Sequence, residues 1–331
     1  MAPHPDDGPH DRPAPHPDVS VHSRTPMAGG TYNTVHLLTH TGGTETVLKT
    51  EPPAERPRLT YEHRLLHTEA RVYALARPLL GGLVPEPLHL DPVPGEPDRH
   101  RLLVTRLPGA PMEGVRAGLA PGGVAAVRRA LGRAVAALHT LTGPAFGYPG
   151  RPALTAATWP DAFAAMAGAL LDDAGRHGVA LPWDPDRVRG LVRDHRHLLA
   201  AVRTPVLVHF DLWDGNILVD GAPEAPVLGG IIDAERAFWG DPVAELASLA
   251  LFGDIREDAA FAQGYREAGG ELEFTPDLLR RLALYRVYLY LVMYVEPATR
   301  GVPDEEAGRL RAYLRPHLEE AFARVSQAPA G

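Results

Sequence analysis

Hydrophobic spacing divides the chain into stretches of different period. Around positions 27–50 apolar and polar residues alternate in Thr34-Val35-His36-Leu37-Leu38 and in Glu45-Thr46-Val47-Leu48-Lys49, on either side of Thr41-Gly42-Gly43. A period of two across a glycine turn predicts a β-hairpin. Over 59–80 the period lengthens. Leu65, Leu66, Val72, Tyr73 and Leu75 fall at helical spacing with no proline before Pro78, which predicts a helix. Two further strands are expected over 84–90 and 101–105. Beyond Pro108 the helical period dominates: Val124, Val127, Leu131, Val135 and Leu138 mark a helix over 124–141. Similar stripes mark helices over 159–171, 186–202, 277–295 and 305–326. Asp241-Pro242 reads as an N-cap followed by proline at the first helical position, opening a helix through 252.

The stretch 206–241 follows neither period for long. Val206-Leu207-Val208, Ile217-Leu218-Val219 and 227–232 are short apolar runs, separated by turns at Trp213-Asp214-Gly215 and Asp220-Gly221. Three short strands are expected, and they place Asp211, Asn216 and Asp233 at neighbouring strand ends. Each alone could be a turn or cap residue. Together they suit phosphoryl transfer. In H-x-D-x-x-x-x-N the Asp accepts the proton of the attacking hydroxyl and the Asn holds Mg²⁺, while a later Asp binds the same metal. The residues would be Asp211 as base, with Asn216 and Asp233 as hard oxygen ligands for Mg²⁺.

HFDLWDGNILVD followed by GIIDAERAFWGDPVAELASL resembles the aminoglycoside phosphotransferase family, small-molecule kinases that share the protein-kinase fold. Asp-Leu-Trp-x-Gly-Asn is also similar to the fructosamine kinases of that broad group. The resemblance implies an α+β, bilobal, protein-kinase-like fold using ATP and Mg²⁺. Residues 26–107 would form a small β-rich, nucleotide-binding lobe with a hinge. Residues 108–331 would form a larger helical lobe for catalysis and substrate binding. By the same resemblance 100–109 is the interlobe hinge, where the Thr105 carbonyl and the Leu107 N–H would meet the adenine edge. Of the two glutamates on the expected helix, Glu62 and Glu69, the second better fits the family pattern for pairing with the phosphate-binding lysine. Two departures stand out: Phe210, where many relatives carry a small residue and which could alter substrate access, and the lack of a glycine after Asp233. No Ala-Pro-Glu motif or activation segment follows Asp233, which argues against a protein kinase.

Composition sharpens this picture at one residue. Of the 33 basic side chains, Lys49 is the single lysine. It ends the second hairpin strand, where a kinase places the lysine that pairs with phosphates. Arginine's planar fork would not reach in the same way. The Gly29-Gly30 turn ahead of the hairpin could cover those phosphates with backbone N–H groups. A net charge of −8 excludes the basic footprint of a nucleic-acid binder. With no cysteine, disulfides, zinc thiolates and cysteine nucleophiles are excluded. No apolar signal core is visible near the start, and the longest apolar stretch, 282–295, contains Arg286 and is too short to span a bilayer. A cytoplasmic protein without membrane partners is expected. Residues 1–25, with PHPD at 3–6 and 15–18 and histidines at 4, 10, 16 and 22, read as a disordered Pro/His-rich tail.

The expected function is transfer of the ATP γ-phosphate to a hydroxyl of a small, cationic molecule such as an aminoglycoside-type antibiotic, which would make this a resistance enzyme. The alternative is a metabolic kinase of a sugar, fructosamine or amino alcohol. A nucleotide-binding pseudokinase is disfavoured by Lys49, Asp211, Asn216 and Asp233 all being present. Acceptor recognition would fall to acidic side chains, Glu235 first because it follows Asp233 closely, and Asp214 beside it. Further acidic candidates are Asp172, Asp173, Glu257, Asp258 and Glu296.

Overall fold

Alternation in the first hundred residues builds a five-stranded antiparallel sheet in order β1-β2-β3-β5-β4. Its strands are β1 (Val21–Pro26), β2 (Thr34–His40), β3 (Glu45–Thr50), β4 (Pro87–Val93) and β5 (Glu96–Thr105). The structure is a computed structural model and describes residues 20–27, 30 and 32–326. The predicted hairpin is β2–β3, with Lys49 opposite Val35 on one side and Leu102 on the other. Strand β1 corrects the tail expected through residue 25. It pairs with β2, Pro26 opposite His36 and Val21 opposite His40. All six of its side chains are exposed, so it is held by ladder hydrogen bonds and leaves no hydrophobic pattern to read. The earlier histidines, and Gly29, lie outside the described residues.

The chain groups into two units. One takes residues up to Pro52 together with Glu86–Arg106; the other takes Pro53–Pro85 and everything from Leu107. The first helix, α1 (Leu65–Leu80), therefore belongs to the larger unit. It starts six residues later than its apolar pattern suggests, because Arg64 sits in the left-handed region at φ 57°. The residues before it are turns, in which the Glu62 carboxylate accepts the Leu59 N–H at 2.8 Å.

The rest of the larger unit runs β6 (Ala110–Pro111), α2 (Met112–Val115), α3 (Pro121–Leu138), β7 (Phe146–Gly147), β8 (Thr155–Ala156), α4 (Trp159–Arg176), α5 (Pro185–Asp194) and α6 (Arg196–Leu199). Then follow β9 (Val206–Val208), β10 (Ile217–Ala222), β11 (Ala225–Ile231), β12 (Phe238–Gly240), α7 (Glu245–Leu249), α8 (Ala259–Glu267), α9 (Pro276–Val295) and α10 (Asp304–Ser326). The single helix expected over 186–202 is two, broken at His195, whose Nδ1 lies 2.8 Å from the Leu191 carbonyl oxygen. The helix expected from Asp241 through 252 ends at Leu249, and Phe252 turns left-handed at φ 62°.

Two small sheets carry the candidate site, β11-β10-β6 and β8-β7-β12-β9. Behind them Trp159, Phe163, Phe210, Phe238 and Tyr285 form a buried aromatic cluster. Helix α9 is buried on most sides, which is why its apolar, Tyr-rich stretch shows no clean amphipathic stripe. Helices α3 and α8 approach through glycines: a Cβ on Gly264 would lie 1.9 Å from the Arg129 carbonyl oxygen, and one on Gly132 2.2 Å from that of Phe261.

Candidate active site

Strand β9 ends at Val208, and from His209 the chain leaves the sheet as an irregular loop. Phe210 adopts φ 63°, a conformation that costs a non-glycine residue about 1–2 kcal/mol. The buried carboxylate of Glu245 in α7 holds it there, accepting the His209 N–H at 2.7 Å and the Phe210 N–H at 2.9 Å. The Ser248 hydroxyl oxygen accepts the Leu212 N–H at 3.0 Å. Asp211 lies between these anchors with its side chain 21% exposed.

The two loops that carry the other candidates are tied to this one. Asn216 Nδ2 donates to the Asp211 carbonyl oxygen at 2.8 Å, which fixes the direction of the amide and leaves Oδ1 as its ligating atom. Ile217 faces Ile231 across the β10–β11 ladder, and the Ile232 N–H donates to the Asn216 carbonyl at 3.1 Å. Asp233 is therefore the first residue past the pairing, one step from Asn216. His209 bridges both segments: its Nδ1 accepts the Asp211 N–H at 3.3 Å, so the proton is assigned to Nε2, which reaches the Ile232 carbonyl at 3.0 Å. The three residues expected to act together are brought together.

Asn216 Oδ1 and the Asp233 carboxylate form a small donor set of hard oxygens. Such a set fits Mg²⁺, which keeps several waters and binds through one or two carboxylates plus phosphate oxygens. It would not suit a metal that needs nitrogen or sulfur ligands.

A row of alternating charges runs back from Asp211. Arg236 Nε lies 3.6 Å from Asp211 Oδ2, and Arg236 Nη2 donates to Glu296 at 3.0 Å. Glu296 also pairs with Arg300 at 2.9 Å and accepts a short hydrogen bond from the Tyr61 hydroxyl, and Arg300 continues to Glu62 at 2.8 Å. Burial lifts the Asp211 carboxyl above the ordinary range, and the Arg236 guanidinium draws it partly back. Burial also pushes Glu296 upward, but Arg236 and Arg300 outweigh it and hold that carboxyl below its usual value. The arrangement leaves Asp211 a carboxylate with raised basicity beside a fixed cation. That suits proton acceptance, since a base works best with a pKa near the working pH.

Sequence reasoning missed Arg236, Glu245, Tyr73 and the role of Glu296. Glu245 did carry a signal, as a lone carboxylate inside the apolar run VAELASL. Tyr73 carried none; it reads as a core aromatic, and it is 1% exposed. Phe210 needs a correction, because its ring does not control access to the site. It is 1% exposed and packs on Phe238 at 4.9 Å and Tyr288 at 5.8 Å.

The other candidates are placed as follows. Glu62 lies before α1, not on it, and is spent on Arg300. Glu69 is fully buried on α1 and accepts the Tyr73 O–H at 2.6 Å. Lys49 is buried on β3 of the smaller unit, 7% exposed. In that unit Gly30 is packed so that a Cβ would lie 2.9 Å from the Asn33 carbonyl oxygen. Thr105 ends β5, its hydroxyl accepting the Glu86 N–H at 2.9 Å; Leu107 is the first residue past the smaller unit. Glu235 sits half-buried in the turn between Asp233 and Arg236. Asp214 is ion-paired with Arg116 at 2.6 Å and lies 3.6 Å from Arg128. Asp173 accepts from Thr60 and Asp258 pairs with Arg128.

The sequence pattern of the phosphotransferase enzyme family (APH) matches residues 23–285, and the chain belongs to that family. Among curated proteins it is 33% identical over 174 residues to a probable ketoamine kinase from Synechocystis, covering 48% of this chain and 52% of that protein. It is also 33% identical over 87 residues to mouse ketosamine-3-kinase, covering 26% of this chain and 25% of the relative. The match thus spans about half the length of the first relative and a quarter of the second. Among solved structures it resembles a candidate fructosamine-3-kinase from Thermobifida fusca, with TM-score 0.66, 21% identity, and 94% and 95% of the two chains covered. A thermostable mutant of aminoglycoside phosphotransferase APH(4)-Ia in ternary complex with AMP-PNP and hygromycin B gives TM-score 0.62 and 19% identity over 93% and 96%. These likenesses establish the kinase-like fold. Among the described residues no helix is long and apolar enough to cross a membrane.

Proposed function

We propose that the chain transfers the γ-phosphoryl group of ATP to a hydroxyl of a small sugar-derived amine of the ketoamine or fructosamine type. The observation that carries the reaction is the interlocked trio Asp211, Asn216 and Asp233, with Arg236 set against the base. The Asp211 carboxylate orients the acceptor hydroxyl and takes its proton as the oxygen–phosphorus bond forms. The bond from γ-phosphorus to the bridging oxygen breaks and ADP departs. Arg236 keeps Asp211 ionised and, through Glu296, fixed in place. Mg²⁺ held by Asn216 and Asp233 would supply charge neutralisation on the phosphates. Lys49 supplies a compact cation for the same phosphates, and the backbone at Thr105 and Leu107 is suited to the adenine edge.

The acceptor class rests on the curated relatives, which are ketoamine kinases at 33% identity or more. The aminoglycoside enzymes share fold at 17–20%. This favours a metabolic kinase over antibiotic resistance. Asp214, one of the acidic candidates for a cationic acceptor, is already paired with Arg116. The test is ADP release across a panel of fructosamines, amino alcohols and aminoglycosides, with the product weighed for one added phosphoryl group. Turnover confined to aminoglycosides would reverse the choice of acceptor. Asp211→Asn should lower kcat by about 10²–10⁴ with nucleotide affinity preserved; a variant that keeps its kcat would remove Asp211 from the mechanism.

A further inference from the structure

We propose that Tyr73 is a positioning residue that fixes the backbone of Asp233 and ties it to helix α1 through Glu69. This rests on the reading of Asp233 as a metal ligand. The Asp233 N–H donates to the Tyr73 hydroxyl oxygen at 2.9 Å, and the Tyr73 O–H donates to Glu69 Oε1 at 2.6 Å. A phenol has one proton to give and lone pairs to receive with. The Tyr73 O–H is committed to Glu69, which leaves its lone pairs to face Asp233. The direction of the whole chain of bonds is thereby set by that single hydroxyl proton.

Asp233 needs such a partner. Strand β11 ends at Ile231, and the Ile232 N–H is taken by Asn216. The next N–H, that of Asp233, has left the ladder. Asp233 holds φ 63° and ψ 50°, a left-handed conformation that persists in a non-glycine residue only when its surroundings over-determine it. Tyr73 is 1% exposed and Glu69 fully buried, so water does not replace either bond. An apolar side chain at 73 could fill the same volume and would leave the Asp233 N–H without this acceptor.

Tyr73 and Glu69 stand four residues apart, one turn on the same face of α1, and α1 packs on the turn Ala234–Arg236 that follows Asp233. A shift of α1 therefore withdraws the hydroxyl from Asp233, and loss of the left-handed backbone at Asp233 releases Tyr73. Helix placement and ligand geometry are one event. This gives the site a control point that lies outside the metal ligands themselves.

The test compares Tyr73→Phe with Asp233→Ala and the unaltered chain, by calorimetric titration of AMP-PNP with and without Mg²⁺. Tyr73→Phe should lose about 5- to 30-fold of the Mg²⁺-dependent tightening, the range expected for one buried hydrogen bond. Its Mg²⁺-free affinity should stay within about twofold, because nothing on the nucleotide side is removed. A lowered melting temperature with unchanged Mg²⁺ tightening would make Tyr73 structural only and overturn the proposal. If Asp233→Ala abolishes the tightening while Tyr73→Phe keeps it, the proposal falls and the metal reading stands. If Asp233→Ala also keeps it, the metal reading fails and takes the proposal with it. Should Tyr73→Phe not fold, site-specific 3,5-difluorotyrosine at 73 keeps the hydroxyl as a weaker acceptor. It should show a partial loss of tightening, and an unchanged value would again overturn the proposal.

Discussion

Glu245→Gln probes how the loop that carries Asp211 is held. The carboxylate is fully buried, and its two oxygens receive the N–H groups of His209 at 2.7 Å and Phe210 at 2.9 Å. A hydrogen bond to a charged group contributes about 1.5–3 kcal/mol net. Glutamine keeps one acceptor oxygen and turns an NH₂ toward the other N–H, so one bond is lost and one buried donor is stranded. Removing a buried charge returns part of that loss, which leaves a destabilisation of about 2–3 kcal/mol. With a urea slope of about 3 kcal/mol/M, the unfolding midpoint of this unit should fall by about 0.7–1 M. The rate should suffer too. Phe210 at φ 63° is free to relax once its N–H is unheld, and Asp211 follows it in the chain. A displacement near 1 Å costs up to about 10²-fold, so kcat should drop by about 10- to 100-fold while the KM for ATP changes little. Urea denaturation and steady-state kinetics on the same preparation check both arms. A Glu245→Gln variant with unchanged midpoint and unchanged kcat would refute the account of the loop.

Arg236→Met removes the cation that draws the Asp211 carboxyl down. The protonated acid then persists to higher pH, so the acidic limb of kcat/KM against pH should move upward; a limb that stays or moves down contradicts the pairing. Lys49→Arg keeps the charge at a site 7% exposed on β3 but not the compact ammonium. It should lower kcat/KM for ATP clearly without unfolding, and near-normal kinetics would make the single lysine an accident of composition. Asp214→Asn breaks a pair whose Arg116 is half exposed, so stability should change little. With Asp214 engaged by arginine, the KM for the acceptor should also hold; a tenfold rise in that KM would return Asp214 to the acceptor pocket.

What the sequence made legible was whatever leaves a local trace. The β2–β3 hairpin, the three short strands around the site and most helices announced themselves by period and turn residues. Asp211, Asn216 and Asp233 stood out as candidates because each flanks a short apolar run, after β9, before β10 and after β11. The boundaries that failed depend on single backbone angles, as at Arg64 and Phe252, which apolar periodicity does not encode. Strand β1 left no trace because it pairs through its main chain and its side chains are all exposed. Arg236, Glu245 and Glu296 were illegible as a group because they act through pairings across 25 to 60 positions of sequence, such as Arg236 with Asp211, Glu245 with Phe210 and Arg236 with Glu296. Phe210 misled for a related reason. Its place in the motif suggested access control, whereas its left-handed backbone turns the ring into the aromatic core.

The two left-handed residues at the site suggest why it is built this way. Phe210 precedes Asp211, the proposed base, and Asp233 is itself the proposed ligand, and neither is glycine. Glycine would reach φ near 63° without penalty, but it would also leave the segment free to visit many other conformations. A side-chain-bearing residue in that region stays only while a specific bond holds it. For Phe210 that bond comes from Glu245 in α7, and for Asp233 it comes from Tyr73 in α1. The loops are thus held from two different helices, by buried acceptors that tolerate little displacement, while His209 and Asn216 join one loop to the other. Strain at these two positions converts helix packing into positional precision at Asp211 and Asp233. Phosphoryl transfer depends on such positioning, because the protein's contribution to it is almost wholly alignment and charge.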